Sequence, residues 1–117
     1  MLSLALPVDI YLSTTPADMR KSFDGLFALA VNHLGRDPLS GGLFVFFNRR
    51  RDRMKLLYWD ADGLAVWAKR LEAGTFQMPA VDAHARSVAL SATELTLLLQ
   101  GIDLGIVKQR KRYRRSA

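Results

Sequence analysis

Cysteine is absent from the 117 residues, which excludes disulfides and thiolate metal sites. No apolar run approaches the ~18 residues that a membrane-spanning helix needs. Histidine occurs twice, as His33 and His84, far apart in the chain. No serine, histidine and acid grouping stands out for nucleophilic catalysis. The glycines fit neither the Walker nor the dinucleotide pattern, so no cofactor is expected. Internal repeats and low-complexity segments are also missing. The opening Met1–Pro7 stretch has no basic lead and is too short for a secretory signal. With cysteine absent, a cytoplasmic setting is expected.

Half of the residues are hydrophobic, enough for one globular core. The net charge is +6, from 17 basic and 11 acidic residues. Six of the basic residues are Lys108, Arg110, Lys111, Arg112, Arg114 and Arg115, and the 11 others balance the acidic ones. A neutral globule over 1–107 is therefore followed by a cationic tail over 108–117, expected to be disordered. Such a tail suits phosphate backbones; a solubilising end is the plainer reading.

Val8–Leu12 alternates as a strand does. Thr15, Pro16 and Asp18 read as the capped start of a helix running to Leu34, with Gly35 as its stop. Its apolar face would hold Met19, Phe23, Leu26, Phe27, Ala30, Val31 and Leu34. Leu43–Phe47 and Met54–Trp59 read as two strands of a hairpin. Leu64, Trp67 and Leu71 fall at helical spacing, which makes Gly63–Ala73 a helix, with a third hairpin strand as the rival. Arg86–Leu90 reads as a strand. Ser91 and Glu94 form a capping box ahead of a helix over Leu95–Gln100. The expected fold is α+β: a small antiparallel sheet centred on the 43–59 hairpin and packed against helices.

Arg49, Arg50, Arg51, Arg53 and Lys55 crowd the hairpin tip, opposed only by Asp52. Like charges this dense weaken a fold unless an anion is near. Arginine forks match phosphate oxygens, and a two-stranded ribbon can enter a major groove. The plainer reading is a solvated tip that blocks edge aggregation. Phe44, Phe46, Phe47, Tyr58, Trp59 and Trp67 flank the tip and are expected in the core rather than stacked on bases. Asp60, Asp62, Glu72 and Asp103 have no ligand spacing, so neither a metal nor catalysis is expected.

Asp18–Leu26, Asp37–Phe46 and Arg53–Asp60 are distinctive strings. Gly63-Leu64, Lys69-Arg70-Leu71-Glu72, Gly74-Thr75-Phe76 and Leu98–Asp103 extend the pattern. In this order they resemble the TnpB accessory proteins of bacterial insertion sequences of family sixty-six, over roughly residues 8–104. (An RNA-guided nuclease shares that name and nothing else.) Ser22 departs from the family's more frequent glycine, Met78-Pro79 from Trp-Pro, and Leu104 from tryptophan. The resemblance implies a non-catalytic role in transposition beside a separate DDE transposase. DNA and that transposase are the expected partners, with no membrane role and a homo-oligomer left open. Arg20 and Lys21, with Lys69 and Arg70, then join the tip and tail as candidate phosphate contacts. An Arg20–Asp24 pair four residues apart is the structural reading of the first of these.

Overall fold

The computed structural model describes residues 9–82 and 84–100, together with the backbone of 102–103 and 108–109. Its elements in chain order are β1 (Ile10–Ser13), α1 (Phe23–Asn32), a 3-10 turn (Pro38–Ser40), β2 (Leu43–Phe47), β3 (Arg53–Asp60), β4 (Gly63–Arg70), β5 (Ser87–Leu90) and α2 (Ala92–Gln100). β6 (Ile102–Asp103) and β7 (Lys108–Gln109) pair as a small antiparallel ribbon. Lys108 and Gln109, the first residues of the tail expected to be disordered, lie in β7 instead, paired with β6; residues 110–117 lie outside the described residues.

The main sheet runs β4-β3-β2-β1-β5. The expected hairpin is present, with Leu43 opposite Tyr58 and Phe47 opposite Met54. The sheet is mixed, however, and not antiparallel throughout. β1 lies parallel to β2, and β5 runs antiparallel to β1. The cause is α1, which carries the chain from the end of β1 back to the start of β2 and makes them parallel neighbours.

All five residues of β2 are buried because both faces of the sheet are covered. Phe44, Phe46 and Leu57 pack with Met19 and with Leu26 and Ala30 of α1. Leu43, Val45, Phe47 and Leu56 pack on the other face with Leu95 and Leu98 of α2, and with Phe76 from the loop after β4. The alternation along one strand thus serves two cores. The Ser91–Glu94 box is reciprocal: Ser91 Oγ accepts from the Glu94 N–H at 3.0 Å, and Glu94 Oε1 accepts from the Ser91 N–H at 2.9 Å. α2 consequently begins at Ala92, a turn earlier than expected.

Two helix assignments fail as well. The helix over 16–34 starts only at Phe23. The Ala17 N–H donates to Phe47 O at 2.7 Å, and Asp18 Oδ1 accepts from the Arg20 N–H at 2.9 Å. These bonds fold 17–21 into a turn against the end of β2, although Met19 still reaches the core. Phe23 and Val31, assigned to the buried face, are 48% and 40% exposed. The second failure is Gly63–Ala73, which is a strand through Arg70. Asp60 pairs with Gly63 and Leu56 with Trp67. Leu64 and Val66 join the α1 side, while Trp67 joins the α2 side. The helical spacing of 64, 67 and 71 is real, but the exposed ladder of β3 supplies partners that a lone helix would forgo.

Candidate nucleic-acid interface

The tip between β2 and β3 is organised by Asn48. Its side-chain oxygen accepts from the N–H groups of Asp52 (3.1 Å) and Arg53 (3.0 Å), and its amide donates to Asp52 Oδ1 at 2.6 Å. That bond holds the Asp52 carboxyl below its ordinary range, despite opposition from desolvation. The one acid in the tip is thereby directed at an amide. Arg49, Arg50, Arg51 and Arg53 are exposed, and none forms an ion pair among the described residues.

Arg51 sits in the left-handed region at φ 59°. An L-residue with a side chain this long rarely adopts that backbone. It is held from behind: the Phe76 N–H donates to Arg51 O, and the Leu71 N–H to Asp52 O, both at 2.7 Å. Phe76 is itself fully buried against Phe47, with ring centroids 5.3 Å apart. The loop after β4 therefore anchors the arginine loop to the core.

β4 brings more cations to the same end. Arg53 lies directly opposite Arg70, and Lys55 opposite Ala68. Arg53, Lys55, Lys69 and Arg70 all line one open cleft of ≈ 340 Å³. Lys55 Nζ donates to Lys21 O at 2.7 Å, joining the cleft to the turn ahead of α1. Lys69 has a structural task, since its Nζ donates to Leu99 O at 3.3 Å in the last turn of α2. Arg70 meets Glu72 at 3.4 Å, with both side chains well exposed.

Arg20 does not pair with Asp24. It grips Asp18 instead, with Nη2 2.6 Å from Oδ2, and holds that carboxyl well below the usual carboxylate range. Because α1 starts at Phe23, positions 20 and 24 do not share a helical turn. The tail cations Arg110, Lys111, Arg112, Arg114 and Arg115 lie outside the described residues, and of Lys108 only the backbone is described.

The acidic candidates are separated. Asp60 and Asp62 sit at the β3–β4 turn, whereas Glu72 follows the far end of β4, on the order of 20 Å away at strand rise. No group of three or more His, Asp or Glu that could hold a metal occurs among the described residues. The flanking aromatics Phe44, Phe46 and Phe47 are buried and Trp59 is exposed.

Sequence reasoning found the tip but missed the facing of Arg53 and Arg70, because it placed Arg70 on a helix. It also missed Asn48, whose signal was its place at the end of an apolar strand ahead of an acid four residues on, a common side-chain-capped turn.

Residues 8–109 match the family model described as IS66 Orf2 like protein. An uncharacterized protein y4jC of Sinorhizobium fredii (strain NBRC 101917 / NGR234) is 39% identical over 101 residues, 86% of this chain and 85% of the relative. A second from that organism, y4hO, is 35% identical over 103 residues, 88% of each chain. No solved structure matches the chain.

Proposed function

This chain belongs to the IS66 Orf2-like family, a family of transposition accessory proteins, and from that premise we propose that it acts by binding the DNA of the mobile element. The tip arginines and the tail neutralise backbone phosphates, largely without reading sequence. Strand chemistry is left to a separate DDE transposase, and the protein works where that DNA is, in the cytoplasm. No helix among the described residues is long and apolar enough to cross a membrane.

One observation carries the reading: four exposed tip arginines form no ion pair among the described residues, and the neighbouring Asp52, though its charge is felt by Arg50 and Arg53, turns its carboxylate to Asn48. Binding to transposon-end and random duplexes across a salt series tests it. Replacing Arg49, Arg50, Arg51 and Arg53 together by glutamine is expected to flatten the log-affinity against log-salt slope by up to about 3–4 units, and removing 110–117 by up to about 4–5. Unchanged slopes in both variants would refute the proposal.

A second reading has its own support. Phe23 and Val31 are eight residues apart on α1 and substantially exposed, with half-buried Phe27 between them. This stripe suits docking on the transposase or on a sister subunit. Association with the transposase that survives nuclease treatment, and is lost in Phe23→Ser, favours docking over bridging by DNA.

A further inference from the structure

On the sheet face that α1 covers, the corner beside the hairpin tip is left open. α1 starts at Phe23, and the segment before it turns about Asp18, so Met19 is what reaches that corner. Ala68 on β4 is small and leaves room beside Met19. The charged groups that line the resulting cleft are Arg53, Lys55, Lys69 and Arg70, with Glu72 as the one acid.

Arg53 and Arg70 are direct partners across β3 and β4. Side chains of such a pair leave the same face, with Cα atoms about 4.5–5.5 Å apart. Two guanidinium groups held this way repel each other. Arg53 forms no ion pair among the described residues, and feels only the adjacent Asp52, whose carboxylate is turned to Asn48; Arg70 has the exposed contact with Glu72, of a kind that contributes little in water. Lys55 emerges on the same face two residues along β3, and its bond to Lys21 O keeps it at the rim.

We propose that Arg53 and Arg70 jointly hold one phosphodiester group of a nucleic-acid strand in this cleft, with Lys55 beside it. The proposal rests on the DNA-binding reading above and adds a specific geometry. A single anion between two planar forks accepts hydrogen bonds from both and relieves their mutual repulsion. Arg49 and Arg50, on the loop itself, then contact other phosphates. The paired arginines set where the strand sits, and the loop adds affinity.

The test uses the full chain, a random-sequence duplex and a salt series, with Arg53→Gln, Arg70→Gln and the double variant. Two arginines on one phosphate act as a unit. The salt slope counts neutralised phosphates, so it is expected to flatten by less than about one unit in either single variant and by only about one in the double. Glu72→Gln, which frees Arg70, is expected to tighten binding. Melting temperatures of the free single variants are expected to equal or exceed that of the unaltered chain, because a repulsion has been removed.

Flattening by about two units in the double variant would overturn the proposal, since the arginines would then serve separate phosphates. An unchanged slope in the double variant would overturn it as well. If Arg49→Gln with Arg50→Gln flattens the slope in that case, DNA binding through the loop survives alone; if it does not, the broader reading falls too. Lower melting temperatures in both single variants would also count against it, by showing that the arginines make stabilising contacts within the protein.

Discussion

Replacing Arg51 by glycine should make the protein more stable and a poorer DNA binder at once. Arg51 holds φ at 59°, where a side chain is unfavourable by about 1–2 kcal/mol. Glycine removes that strain but loses more backbone freedom on folding, an opposing cost of about 0.5–1 kcal/mol. The balance is a gain of about 0.5–1 kcal/mol, or a rise of about 2–8 °C in melting temperature for a domain near this size. The hydrogen bonds that anchor the loop, from Phe76 to Arg51 O and from Leu71 to Asp52 O, use the backbone and survive the change. The lost charge should flatten the salt slope of DNA binding by about one unit. Ala61 is the matching control. It also has positive φ, 53°, but sits at the far β3–β4 turn beside Asp60 and Asp62. Ala61→Gly should raise the melting temperature similarly and leave DNA binding unchanged. Thermal melts and salt-series titrations on the two variants settle the matter. The reasoning is refuted if Arg51→Gly melts lower while Ala61→Gly melts higher, or if both bind DNA like the unaltered chain.

Gly25 occupies a helical position where alanine would ordinarily add about 1 kcal/mol. A Cβ there would come within 2.9 Å of Lys21 Cβ and Cγ, so Lys21, whose carbonyl accepts from Lys55, must shift. Gly25→Ala should therefore leave the melting temperature level or lower; a full rise of several degrees would disprove the contact. The Asp52 carboxyl is held below its ordinary pKa by Asn48, so its contribution is complete above the unfolded value near about 4 and declines as pH falls through the folded one. The melting-temperature gap between the unaltered chain and Asp52→Asn should be constant from about pH 8 to 5 and shrink below about pH 4. A gap that persists to about pH 2 would show that the Asn48 bond does not depend on ionisation.

Much of the molecule was legible in local sequence because its causes are local. The run Leu43–Phe47, the turn residues Asp60 and Gly63, the Ser91–Glu94 box and the crowd of arginines at 49–53 each declare themselves within a few positions. Their structures follow from backbone preference, side-chain caps and hydrophobic patterning. The charge balance between globule and tail is likewise a matter of counting.

Other features depended on partners far along the chain. Leu64, Trp67 and Leu71 satisfy a helical period, yet the segment is a strand because β3 offers an open ladder. The Thr15–Asp18 stretch carries every mark of a helix start. The bond from Ala17 to Phe47 O draws it to the sheet instead, and this delays α1 and leaves the corner beside Met19 open. By itself the sequence determined that arginines would gather at one hairpin tip. Only the tertiary structure decided that Arg70 would stand opposite Arg53, because cross-strand register is set by burial on both faces of a sheet and not by spacing along one strand.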